Sequence, residues 1–116
     1  MEQSKLMAKL AWKALDEKKG EDIRIIDISN VSTLADYFLI VNGSNSNQVQ
    51  ALVDNVEDEL AKLDFHARQK EGHGLGSWVL LDFGEIVVHV FDKENRHFYD
   101  LERIWRDGRS VNVEQL

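Results

Sequence analysis

The chain has no cysteine among its 116 residues. Disulfides, thiolate metal sites and cysteine nucleophiles are thereby excluded, and the absence fits a reducing cytoplasm. No apolar run approaches the roughly 20 residues that span a bilayer, so no membrane segment is expected. The N-terminal stretch MEQSKLMAKLAWKALDEKKG lacks the apolar core and small-residue cleavage site of a secretory signal, and its acids are unlike a transit peptide. It reads as mature protein. Positive charge is in deficit, with 14 Lys and Arg against 21 Asp and Glu and a net charge of −7. Phosphate backbones are bound by basic surfaces, so direct nucleic-acid recognition is not the expected work. The charge suits a basic protein partner, since opposite fields steer encounter; it equally suits a surface charged only for solubility. Repeats, low-complexity segments and domain boundaries are also missing, and the length fits one compact domain over residues 1 to 116.

What is present is a regular alternation of patterns. Leu6, Met7, Leu10, Ala11, Ala14 and Leu15 recur at helical spacing and predict a helix over 3–18, with Gly20 placed to end it. IRIIDI (23–28) predicts a strand. The link SNVSTLAD is too short for a parallel crossover, so the first two strands should be antiparallel. YFLIV (37–41) is apolar on both sides and predicts a central strand. NGSNSNQ follows as a turn and helix cap, with Ser44, Asn45 or Ser46 accepting from the first free amides. The helix to 63 carries Val49, Leu52, Val53, Val56, Leu60 and Leu63 on one stripe, with Asp54, Glu57, Asp58 and Glu59 mostly off it. FHARQK (65–70) predicts a polar edge strand and 78–91 a hairpin. A short C-terminal helix is expected to carry Phe98, Leu101, Ile104 and Trp105, and the tail 108–116 to be loosely ordered. The expected fold is mixed α/β, a five-stranded sheet in the order α-β-β-α-β-β-β-α.

The fragments that suggest catalysis do not assemble into a site. Asp82-Phe83-Gly84 matches the kinase metal triplet, but no phosphate loop, strand lysine or catalytic loop accompanies it. Gly72, Gly74 and Gly76 precede a strand, whereas a dinucleotide fingerprint opens a helix. His66, His73, His89 and His97 show no ligand spacing and read as structural or surface histidines. Gly43-Ser44, between a strand and a helix, is where nucleotidyltransferases hold triphosphate oxygens on backbone amides. The paired carboxylates that would bind their metal are missing, so a transferase scaffold without the chemistry is the reading.

A two-residue turn at Phe83-Gly84 would pair Val79 with Val88 and Trp78 with His89. Val79, Leu81, Ile86, Val88 and Val90 then form a core face. Trp78, Leu80, Asp82, Glu85, Val87, His89 and Phe91 form a mixed one. Phe83 would stand exposed at the tip, an aromatic ringed by charge, which is the composition of an interface anchor. The competing expectation is that Phe98 and Trp105 fold back over the mixed face.

ADYFLIVNGSNSNQVQALVD, GSWVLLDFGEIVVHVF and FYDLERIW together resemble the ribosomal silencing factor family, also called RsfS or Iojap-like, over residues 3 to 107. The resemblance implies a nucleotidyltransferase-like topology without catalysis, cofactor or metal. It implies a cytoplasmic translation repressor that binds protein fourteen of the large ribosomal subunit, on the face that meets the small subunit. Occupancy then blocks subunit joining, and translation falls under nutrient limitation. Carried over, the partner surface is Trp78 and the apolar turn residue Phe83, with Lys70, Asp82 and Glu85 at polar positions beside them. Homodimers are also implied. The alternatives are a nucleotide-binding, transferase-like protein and a dimeric adaptor whose hairpin serves only self-association.

Overall fold

A computed structural model describes residues 2–72, 78–93 and 108–116. The expected C-terminal helix, with Phe98, Leu101, Ile104 and Trp105, lies outside these residues, as do His73, Gly74, Gly76 and His97. Helix α1 runs Glu2–Glu17 and is followed by β1 (Glu21–Asp27) and β2 (Tyr37–Gly43). Helix α2 (Ser46–Ala61) leads to β3 (Gln69–Glu71), the hairpin β4 (Trp78–Asp82) and β5 (Ile86–Asp92), and finally β6 (Arg109–Val111). The sheet has the order β3-β4-β5-β2-β1-β6. β1 and β2 are antiparallel, as the short link required, and the parallel pair is β2 with β5. These two strands are central, and β5 is buried on both faces along Ile86–Phe91.

The two helices pack on one face. Met7, Ala8, Ala11, Ala14 and Leu15 of α1 meet Val49, Leu52, Val53, Val56 and Leu60 of α2 over Leu39, Val41, Leu81 and Val88. The Asn55 side chain donates to Ala14 O at 2.7 Å and ties one helix to the other. The apolar stripes are narrower than the sequence spacing suggests, since Leu6 and Leu63 are exposed. Leu6 lies at the margin of its stripe, and Leu63 falls beyond the last helical turn.

Both helices end in the same way. Lys19 takes a left-handed conformation (φ 59°), and the Gly20 amide reaches back to Leu15 O at 2.9 Å. Asp64 (φ 64°) and the Phe65 to Leu60 bond at 3.0 Å repeat the motif after α2. Gly20 is therefore needed for a different reason than a left-handed turn. A Cβ there would lie 2.6 Å from Val41 Cγ2.

Three expectations are corrected. The sheet has six strands, because the tail is ordered: β6 pairs antiparallel with β1, and Arg109 reaches Asp27 at 3.4 Å. A 3-10 turn, Val113–Gln115, follows, boxed by Asn112 and Gln115 side chains. The tail carries Val111 and Val113, which find apolar surface beside the main core; its polar look concealed this. The edge strand is only three residues long, because the α2 terminus occupies the residues up to Phe65. The hairpin register is shifted by two residues, with Trp78 opposite Phe91 and Leu80 opposite His89. The loop is Gly84-Glu85, closed by Phe83 N to Ile86 O at 3.0 Å. Gly84 has φ 90°, a conformation that the first loop residue of a tight hairpin adopts and glycine tolerates.

Candidate functional site

The shifted hairpin sorts the expected partner residues onto different faces. Side chains alternate along a strand, so Phe83 joins Val79 and Leu81 on the helix side. It is 8 % exposed and belongs to the main core. The expectation of an exposed aromatic tip is overturned: the tip is one residue further on, and Phe83, just past β4, continues that strand's inner face into the core. The signal was in the sequence, as period-two continuation through 79, 81 and 83. Phe83 also forms one wall of a depression of about 370 Å³ with Glu57, Asp58, Ala61, Phe65, His66 and Ala67.

Lys70 pairs with Leu81 across the sheet and points to the same side, where its Nζ lies 2.8 Å from Glu57 Oε1 on α2. Asp82 shapes the hairpin, its Oδ1 accepting from the Gly84 amide at 2.8 Å and its Oδ2 facing Arg68 Nε at 3.3 Å. Glu85 holds the tip. Its backbone oxygen accepts from the Asp36 amide at 2.8 Å, and its carboxylate accepts from Gln3 Nε2 at 2.7 Å. The three polar residues thus tie β3 to α2, and the hairpin tip to Arg68, to α1 and to the β1–β2 loop.

Trp78 lies on the opposite face. There, Ile26, Ile28, Ala35, Ile40, Val87 and Phe91 form a second cluster, with Phe38, Trp78 and Leu80 half-buried against it. The Trp78 ring is nearly parallel to those of His89 (5°, centroids 6.2 Å apart) and Phe91 (12°, 6.2 Å). Phe38 meets His89 edge-on at 5.0 Å. His89 is structural in place but has chemistry the sequence did not disclose. Its Nδ1 accepts from Trp78 Nε1 at a long 3.4 Å, and burial pushes its pKa down to about 4. The ring is therefore neutral near pH 7. Its position between apolar strand neighbours could have signalled burial, but the bond to Trp78 depends on cross-strand register.

Two apolar side chains escaped sequence reasoning. Leu34 is 77 % exposed and Val31 48 %. They sit in the loop between β1 and β2, where Asp36 grips the hairpin tip. Short loops give no periodicity from which exposure could be read.

The Gly43-Ser44 junction does hold a helix N-terminus, but side chains of the chain itself already bond two of the amides there, Ser44 N and Gln48 N. Gln48 Oε1 accepts from Ser44 N, Asn45 Oδ1 from Gln48 N at 2.9 Å, and Asn45 O from Val49 N at 3.0 Å. Asn45 is thus the cap among the three candidates. A phosphate would have to displace these contacts, and a Cβ at Gly43 would lie 2.8 Å from Val49 Cγ2. This glycine serves close packing of strand on helix. Among the described residues, no three His, Asp or Glu side chains stand close enough together to hold a metal. None of the described helices is long and apolar enough to cross a membrane.

The class is that of an acidic α/β domain, with ion-paired side chains at the β3 edge and half-buried aromatic rings on the sheet face away from the two helices. The comparisons with known proteins sharpen that class. The profile of the family described as ribosomal silencing factor during starvation (RsfS) matches residues 1–116, and the chain belongs to this family. It is 41 % identical over 110 residues to the ribosomal silencing factor RsfS of Bacillus subtilis, covering 95 % of this chain and 93 % of that protein. A crystal structure of a Chromobacterium violaceum protein superposes with a TM-score of 0.83 at 37 % identity, covering 86 % of this chain and 83 % of that one. A more distant relative, 29 % identical over 98 residues, is the mouse protein named mitochondrial assembly of ribosomal large subunit protein 1, of which the match covers 41 %.

Proposed function

We propose that this protein silences ribosomes: it binds the large subunit through that subunit's protein fourteen and sterically blocks joining of the small subunit under nutrient limitation. The carrying observation is the family match over the whole chain, with relatives that bear the silencing-factor name. The mouse relative's name points to the large subunit rather than the small one. The domain's net charge of −7 suits a basic ribosomal protein. The mechanism asks for occupancy and bulk alone.

Within this reading Trp78 is the anchor. Its half-buried indole offers a large apolar area with little side-chain entropy to lose, the profile of an interface hot spot. Lys70, Asp82 and Glu85 act through shape. Their pairings hold the β3 edge and hairpin tip in one arrangement and set the charge pattern that a partner meets. Phe83 supports that edge from beneath. The protein would work in the cytoplasm, and a homodimer through the Trp78 face would compete with the ribosome.

Sedimentation tests the reading. Added to separated subunits, the protein should travel with the large one and lower the fraction of joined ribosomes when the small one is supplied. Sedimentation with neither subunit, with joining unchanged, would refute it. In light scattering, Trp78→Ala should also return any dimer to monomer; a dimer that persists removes self-association from that face.

A further inference from the structure

His89 sits at the middle of the outer face, 4 % exposed, with Ile40 and Leu80 beside it in register on the neighbouring strands. In neutral imidazole one nitrogen donates and the other accepts. Because Nδ1 accepts from the Trp78 indole, the proton must reside on Nε2. That Nε2–H is buried with no hydrogen-bond partner among the described residues. A buried unpaired donor destabilises a fold, and an apolar ring of similar shape would not incur that cost. Stability alone therefore does not account for a histidine here. What the imidazole adds is an acceptor aimed at one atom, the indole nitrogen of a half-buried tryptophan on the adjacent strand.

We propose that His89 is the positioning residue for Trp78, its Nδ1 and near-parallel ring fixing the indole in the pose in which its accessible edge meets the partner. The proposal rests on the reading that Trp78 contacts the large subunit. The geometry supplies two restraints on one ring. The 5° interplanar angle limits tilt, and the N–H to Nδ1 contact limits rotation about the bond to the indole. Phe91, two residues along β5 on the same face and opposite Trp78, and Phe38 at the imidazole edge hold His89 itself in turn. A preorganised anchor loses less freedom on binding, so its restraint appears as affinity.

The full-length ¹⁵N-labelled protein tests this, with the Trp78 indole resonance identified by its loss in Trp78→Phe. His89→Phe keeps a buried ring and removes the acceptor. It should leave the melting temperature unchanged or raised, move the Trp78 indole resonance, and weaken large-subunit binding by about tenfold, the scale of one neutral hydrogen bond. His89→Asn offers a carbonyl near the position of Nδ1. It should return the resonance toward its original place and restore part of the affinity even if the fold is less stable. The proposal is overturned if His89→Phe leaves the indole resonance in place, or if affinity falls only in parallel with melting temperature in both variants. If Trp78→Ala leaves binding intact, the anchor reading fails, and the resonance experiment still decides whether His89 holds the ring.

Discussion

The two faces of the sheet are built from the same strands yet use different chemistry. The helix side is aliphatic: Leu39, Val41, Val79, Leu81, Val88 and Val90 lie under two amphipathic helices, all of them buried. The outer side collects rings, with Phe38, Trp78 and Phe91 each against His89 and two of the four half-buried. Aliphatic side chains make no directional demands, so the inner face is closed by matching period, volume and shape, down to the close approach at Gly20 and Gly43. The outer face carries a directional bond and a buried donor without a partner, features that specify geometry more than they stabilise. The inner face is closed by the two helices, while on the outer one Ile40, His89 and Phe91 are buried and Phe38 and Trp78 stay half-buried.

The contrast can be broken at its largest point by Phe83→Ala. If Phe83 belongs to the inner core, urea denaturation should show a loss of about 3 kcal/mol. A loss within error would return Phe83 to the surface. Next in size is the acid limb of stability. His89 has its folded pKa depressed from 6.5 to about 4 by burial, so the unfolded chain binds the proton more readily. Its contribution is whole above pH 6.5 and is lost as pH falls toward 4, about 3 kcal/mol in all at about 1.36 kcal/mol per unit. His89→Phe should flatten this limb in pH-dependent melting; an unchanged slope would mean that His89 is charged or solvated in the fold.

A second acid-sensitive group lies lower on the pH scale. Burial raises the Asp27 pKa, but bonds from the Ser29 hydroxyl and amide and the charge of Arg109 outweigh it, and the net value is lowered from 3.8. Its stabilisation is present above 3.8 and lost as pH falls through the folded value. Asp27→Asn should thus remove a separate loss below pH 4 and speed amide exchange in β6. Trp78→Ala sharpens the comparison from the other side. It should cost about 1.5 kcal/mol of stability, since the ring is half-buried, while large-subunit binding falls by about 2 kcal/mol or more. Equal losses in both measurements would make Trp78 ordinary core. The smallest effect is expected from Lys70→Met, under about 1 kcal/mol in melting because the pair with Glu57 is partly solvated.

Much of the frame was legible because it rests on periodicity. The 3.6-residue stripes gave α1 and α2, the apolar run at 37–41 gave the central strand, and the brevity of SNVSTLAD gave its antiparallel neighbour. The inner face of the hairpin was legible for the same reason, and the family resemblance lay in contiguous residues. The order of the tail is not legible, because RSVNVEQL has too few apolar residues to show a period and its strand forms by pairing with β1. For Phe83, a turn one residue further along the chain is the difference between tip and core, and the spacing of the hairpin allows either.

By itself, then, the sequence determined the helices, the central strands, one core face and the family, since each is written in local spacing or contiguous identity. Only the tertiary structure decided register, and with it which ring is buried, which stays half-open and what the imidazole of His89 bonds to. A strand side chain acquires its neighbours from strands remote in sequence, and no local pattern records which residue will stand opposite.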